Sequence, residues 1–151
     1  IETMSDVSGE MALAIRAVKD STGLPVVATL CYDRGPRGLF TMMGDTPEST
    51  AVALTEAGAD VVGSNCGVPI GDMIEIVDAM RQSTDLPILT HVNAGLPRIE
   101  SGEIVYPDTP DFMAEQMQRV IEAGATIIGG CCGTGPEHVR AFALLLRGGA
   151  P

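Results

Sequence analysis

Short apolar runs alternate along the chain with longer stretches whose apolar residues recur every three or four positions. Pro25–Leu30, Ala59–Gly63, Pro87–Val92 and Thr126–Gly129 are too short for helices, rich in β-branched residues, and bounded by Gly, Pro or Asp. Unbroken runs of this kind, without in–out alternation, predict parallel strands covered on both faces. Ile1–Met4 reads as the end of one more strand. Between the runs, Gly9–Ser21 carries Met11, Ala14, Ile15 and Val18 at helical spacing, and Gly71–Ser83 puts Met73, Ile76, Val77 and Met80 on one face. Thr46-Pro47-Glu48 is an N-cap with proline in the first turn, opening a helix to about Ala57. Thr109-Pro110-Asp111 repeats the device ahead of Met113, Met117, Val120 and Ile121, and a last helix runs from about Pro136 to Leu146.

Glu56-Ala57-Gly58-Ala59 and Glu122-Ala123-Gly124-Ala125 each stand between a helix and the next strand, with the glycine as helix terminator. The pattern is five strand–helix units, each of roughly 30 residues, which predicts a parallel α/β protein with right-handed crossovers. Periodicity fits both a five-stranded doubly wound sheet and about five-eighths of a (β/α)8 barrel. In either architecture ligands gather where strands end, so the residues just past each strand carry the chemistry. They are Glu2; Cys31-Tyr32-Asp33; Ser64-Asn65-Cys66-Gly67; Asn93-Ala94-Gly95; and Gly130-Cys131-Cys132-Gly133.

The 151 residues make one domain, 1–151, and its abrupt opening on a strand end is expected of a segment of something longer. Twenty acidic against nine basic residues give a net charge of −11, which repels phosphate backbones; with no Lys/Arg cluster, no nucleic-acid partner is expected. No apolar run approaches the roughly 18 residues of a membrane span and no signal-peptide pattern opens the chain, so the expectation is a soluble, cytoplasmic protein with no membrane partner. Aromatics are only 3%, leaving the core to Val, Ile, Leu, Met and Ala.

Cys31, Cys66, Cys131 and Cys132 are then expected as thiols. A disulfide between adjacent residues is strained, and the plain alternative is that all four are small packing residues. The glycines flanking Cys66 and the Cys131-Cys132 pair argue for more, because they strip away side chains and let the backbone turn sharply. Two adjacent thiolates and a third from a neighbouring strand make a three-sulfur set suited to zinc, with a fourth tetrahedral position open as in catalytic sites. Such an electron-rich site is a poor generator of hydroxide, but it can hold a thiol as thiolate, which points to S-alkylation.

Gly63-Ser64-Asn65-Cys66-Gly67, His91-Val92-Asn93-Ala94-Gly95-Leu96-Pro97 and the run from Gly129 to His138 (GGCCGTGPEH) resemble the homocysteine S-methyltransferase family. That family includes the homocysteine domain of cobalamin-dependent methionine synthase and betaine–homocysteine methyltransferase. The resemblance covers the whole chain, with Glu2-Thr3-Met4 similar to the end of the family's fourth strand. It implies a (β/α)8 TIM barrel of which this chain forms about the last five βα units. It also implies Zn2+ held by Cys66, Cys131 and Cys132, with Asn93 filling the fourth position until the substrate thiol displaces it, and Glu2 on the homocysteine amino group. The implied reaction is methyl transfer to the zinc-bound thiolate of homocysteine, giving methionine. The donor would be methyltetrahydrofolate, a methylcorrinoid or a methylated onium compound. Nothing matches the family's first three strands, and no Asp-x-His-x-x-Gly cobalamin motif appears. The alternative is therefore a metal-binding partial barrel without turnover of its own, a subunit completed by a partner chain or by self-association.

Of the remaining residues, His138 is expected to be structural or solvent-facing and Cys31 to be a small packing residue; His91, two residues before Asn93 and on the same face, is expected to pack in the core, with a place behind the ligands as the alternative. Met42 and Met43 are grouped with the core methionines, and Arg37 is expected as a solvated charge in the loop Gly35–Gly38.

Overall fold

The computed structural model describes residues 1–3 and 7–148. Its strands are β1 (Glu2–Thr3), β2 (Val27–Leu30), β3 (Asp33–Gly35), β4 (Gly38–Phe40), β5 (Val61–Asn65), β6 (Ile88–Val92), β7 (Arg98–Glu100), β8 (Glu103–Val105) and β9 (Ile127–Gly130). The α-helices are α1 (Ala12–Ser21), α2 (Pro47–Ala57), α3 (Ile70–Arg81), α4 (Pro110–Glu122) and α5 (Pro136–Leu146). A π-helical turn, Val7–Met11, leads into α1, so the helix expected from Gly9 begins its regular ladder only at Ala12. Met4, placed at a strand end by its sequence, lies outside the described residues.

Five strands form one parallel sheet in the order β1-β2-β5-β6-β9. This order follows the chain without reversal, whereas a doubly wound sheet reverses order at its switch point. The helices pack side by side in the same sequence, α1 on α2, α2 on α3, α3 on α4 and α4 on α5. Right-handed crossovers in a single direction put every helix on the same face of the sheet. On that face Ala28, Leu30, Val62, Ile88 and Val92 are fully buried against Ile15, Leu54, Met73, Met80, Met113 and Met117.

The other face carries Thr29, Asn65 and His91, and it grows more open toward β9, where Ile127 is 39% exposed. The unbroken apolar pattern of that last strand had predicted cover on both sides; it stands at the sheet edge instead. On the same face Glu2 of β1 meets His91 of β6 at 2.8 Å, across two intervening strands. Strands lie about 4.8 Å apart and their side chains stand perpendicular to the sheet, so three spacings on a flat sheet would keep these groups apart. The sheet is bent into a trough with this face inside.

Local chemistry sets the helix ends. Thr46 accepts from the Ser49 N–H at 3.2 Å while Ser49 Oγ accepts from the Thr46 N–H at 2.9 Å, a reciprocal cap at the predicted position. Gly58 closes α2 in the left-handed region (φ 97°). The third strand of the main sheet runs Val61–Asn65 rather than Ala59–Gly63. Asp60 accounts for the late start: its carboxylate accepts from the Val26 N–H at 2.6 Å and from Lys19 at 2.5 Å, which closes the loop before the ladder begins.

Two hairpins, β3–β4 and β7–β8, follow β2 and β6 and were not anticipated. Strands of three residues carry too little alternation to register, although Ile99 opposite Ile104 across a left-handed Ser101-Gly102 turn (φ 52° and 86°) is a hairpin signal. Arg37 sits in the first hairpin's turn, exposed, with its guanidinium 5.5 Å from the Phe40 ring centre. Met42 and Met43 are not core residues; they stand 67% and 64% exposed between β4 and α2. Among the described residues no helix is long and apolar enough to cross a membrane.

Candidate metal centre

Cys66 is the first residue past β5 and adopts a left-handed conformation (φ 53°), followed by Gly67 at φ 71°. A left-handed non-glycine residue is strained, and here two backbone bonds hold it: Cys66 N–H donates to the His91 carbonyl at 2.9 Å, and its own carbonyl accepts from Val68 at 2.8 Å. Gly67 is required by close approach as well as by φ, since a Cβ there would lie 2.6 Å from the Cys31 sulfur and 2.5 Å from the Tyr32 carbonyl oxygen. Cys131 continues the ladder of β9 through its N–H to the Val92 carbonyl at 2.7 Å. The chain then turns at Gly133 (φ 77°), with Thr134 donating from both N–H and hydroxyl to the Cys131 carbonyl at 3.2 and 2.7 Å.

These two strand ends bring the three sulfurs together. Cys66 Sγ is 3.6 Å from Cys132 Sγ, Cys132 Sγ is 3.9 Å from Cys131 Sγ, and all three lie within 4.8 Å of one another. Thiolates bound to zinc at about 2.3 Å in a tetrahedron stand about 3.8 Å apart, so the spacing fits a single tetrahedral ion. Cys132 is exposed and the other two half-buried, leaving one side of the set open.

The ionisation of the cluster shows the strain of crowding three sulfurs. Burial pushes the Cys66 thiol up, but the Gly67 N–H, the Asn93 side chain and the two neighbouring cysteines outweigh it, and the net shift is downward. Burial and the charge on Cys66 then push Cys131 up to about 12. The Cys66 thiolate is favoured at the expense of Cys131, a repulsion that a divalent cation relieves. Cys31 is buried beside Gly67, and its thiol is raised to about 11, first by burial and then by Cys66. It belongs to the packing beneath the site, as expected.

Asn93 is buried just past β6, where its Oδ1 accepts from the Cys132 N–H at 3.2 Å, and its side chain helps to hold the Cys66 thiol below its ordinary range. It therefore stands beside Cys132 and Cys66. Glu2 is held in the same trough by His91. His91 is half-buried and engaged, not packed in the core. His138 is structural: Nδ1 accepts from the Gly135 N–H at 3.1 Å and Nε2–H donates to the Asp108 carbonyl at 3.0 Å.

Sequence reasoning missed Tyr106. Its ring lies against Gly133 where any Cβ would collide with it, and its phenol stands near enough to Cys132 to feel that thiol's charge. Burial, then the charge of Cys132, holds this phenol above its ordinary range. The strap from Tyr106 to Asp108 is tied down by Asp108 N–H to the Ala94 carbonyl at 3.1 Å and by His138. A tyrosine four residues before the first residue of α4 carries no periodic signal; only the fold puts it beside Cys132.

The sequence matches the family model described as homocysteine S-methyltransferase over residues 1–146. The chain belongs to this family. Among curated proteins, the methionine synthases of Mycobacterium leprae (strain TN) and Mycobacterium tuberculosis (strain ATCC 25618 / H37Rv) are each 33% identical to it over 103 residues. Those alignments take in 68% of this chain but only 8% and 9% of the two synthases, so the chain spans a small part of the relatives it matches. Among solved structures, the oxidized form of the Escherichia coli homocysteine methyltransferase MmuM shares its fold with a TM-score of 0.61 at 21% identity. That superposition covers 88% of this chain and 39% of MmuM.

Proposed function

We propose that this member of the homocysteine S-methyltransferase family takes part in methyl transfer to the sulfur of homocysteine, giving methionine. In this reading residues 1–151 are the C-terminal part of a (β/α)8 barrel, and Cys66, Cys131 and Cys132 hold a zinc ion at its mouth. The observation that carries it is the three-sulfur set, with tetrahedral spacing and one open side, at the ends of β5 and β9. The consecutive strand order and the trough support closure into a barrel with further strands.

When bound, zinc supplies the Lewis acidity that keeps a substrate thiol deprotonated near neutral pH. The chain's own residues do the rest. The three cysteines fix the open direction, since each is tied into a strand end or turn by backbone bonds. Asn93 steadies Cys132 by accepting from its N–H and, in this reading, fills the open side until substrate arrives. Glu2, an acceptor-only carboxylate in the same trough, receives the substrate ammonium. The substrate sulfur attacks the donor's methyl carbon, the S–C bond forms as the donor's bond to methyl breaks, and the thiol proton leaves to solvent. Thiol ligands call for a reducing compartment, in keeping with a cytoplasmic location.

The test is turnover of homocysteine by zinc-loaded protein with methyltetrahydrofolate, a methylcorrinoid and a methylated onium donor in turn. Methionine formed with none of them overturns the reading for this chain. Independently of the donor, homocysteine added to zinc-loaded protein in weak buffer should release about one proton per site, which a pH indicator reads directly.

A second reading rests on a different observation. β1 and β9 each pair on one side only among the described residues, so the sheet presents two free edges. On this reading the chain is a metal-holding subunit that turns over only with a partner, either another chain supplying strands or a second copy. Size-exclusion mass, alone and with candidate partner chains, separates the two: activity confined to a larger complex favours the subunit, and an active monomer excludes it.

A further inference from the structure

Glu2 lies on a strand of two residues at the sheet edge, and its side chain is 49% exposed. A carboxylate so placed is free to sample many rotamers, and a substrate ammonium would have to order it on binding. Here it is already ordered. Its Oε1 stands 2.8 Å from His91 Nδ1, across the trough from β6. An ionised carboxylate only accepts, so Nδ1 carries the proton and donates, and the second carboxylate oxygen has no partner among the described residues.

His91 is itself held in place. It pairs with Asn65 on one side and with Gly129 on the other. A Cβ on Gly129 would lie 2.7 Å from His91 Cδ2 and 3.1 Å from Nε2, so the missing side chain is the niche that admits the ring. The rung Asn65–His91–Gly129 lies one residue before Cys66 and two before Cys131. At about 3.3 Å per residue the ring is therefore within roughly 7 Å of the sulfur level along the strands. Four bonds separate sulfur from nitrogen in homocysteine, a comparable reach.

We propose that His91 is a positioning residue for amino-group recognition: it fixes the Glu2 carboxylate so that its free oxygen meets the ammonium of a thiol amino acid held at the cysteine site. The proposal rests on the reading of Glu2 given above and adds the device that makes Glu2 selective. His91 does not touch the reacting sulfur, so its effect is confined to substrates that carry the amino group.

The test compares homocysteine with 4-sulfanylbutanoate, the same thiol without the amino group, by calorimetric binding to the zinc-loaded full chain. His91→Asn keeps an N–H close to the Nδ1 position, whereas His91→Gln places it near Nε2 and His91→Phe removes it. Zinc content of each variant confirms that the site is intact. The expected result is about tenfold weaker homocysteine binding in the Gln and Phe variants, unchanged 4-sulfanylbutanoate binding, and near wild-type behaviour in the Asn variant. Equal weakening of both thiols, weakening of neither, or identical behaviour of Asn and Gln variants overturns the proposal. Wild-type protein that binds the two thiols equally overturns the reading of Glu2, and His91 falls with it. A wild-type preference that survives in His91→Phe removes only the role of His91.

Discussion

If the three cysteines hold zinc as proposed, replacing Cys132 by serine is expected to lower zinc affinity by roughly a hundredfold or more, and Cys66→Ser and Cys131→Ser to do the same. Apparent zinc-binding energies of about 10–16 kcal/mol spread over four ligands assign about 3 kcal/mol to each. The serine hydroxyl stays protonated near neutral pH and is a harder donor than thiolate. The three substitutions should be equivalent because the sulfurs occupy comparable corners, 3.6 and 3.9 Å apart around Cys132. Cys31→Ser is the control: its sulfur packs on Gly67 outside the set, so zinc content stays at the wild-type value. Competition against a chromophoric chelator under reducing conditions measures all four. Wild-type zinc affinity in Cys132→Ser, or zinc loss in Cys31→Ser, contradicts the ligand assignment.

The second large effect is on stability. Gly63 lies in the middle of β5, opposite Leu89 of β6, and a Cβ at this position would run into the Leu89 carbonyl. The obstacle is backbone, which cannot swing aside as a flexible side chain can, so the two central strands must separate locally. Gly63→Ala is expected to cost about 3 kcal/mol, lowering the unfolding midpoint by roughly 6–12 °C for a chain of this size. Because β5 ends at the turn carrying Cys66, zinc affinity should fall as well. Thermal unfolding of the metal-free protein separates the two effects, since it reads the strand clash without the ion. A midpoint within about 2 °C of wild type shows that the strands absorb the methyl group.

Much of the helical layer was legible because its signals are local. Thr46 and Thr109 cap where proline follows, Gly58 terminates where the left-handed turn is needed, and the apolar faces of α3 and α4 follow from spacing alone. The cysteine motifs were legible for a similar reason: glycines on either side of Cys66 and of Cys131-Cys132 mark tight turns at strand ends, whatever the sheet does. Errors arose where a distant partner decides. Asp60 delays β5 by bonding Val26 and Lys19, more than thirty residues away, and no spacing within 59–63 signals this. The burial of β9 depends on which strand stands beyond it, and Met42 and Met43 look like core residues until the hairpin before them is in place.

The sequence by itself determined the alternation of strands and helices, the strand-end location of the cysteines, and the family to which the chain belongs. These are properties of short segments, fixed by side-chain period, caps and turn chemistry. Only the tertiary structure decided between a single winding direction and a reversal. It also bent the sheet so that Glu2 reaches His91, set three sulfurs at tetrahedral spacing, and brought Tyr106 over Gly133. Register and curvature are long-range quantities: each arises from ladder bonds and packing between strands far apart in the chain, and no local pattern encodes their sum.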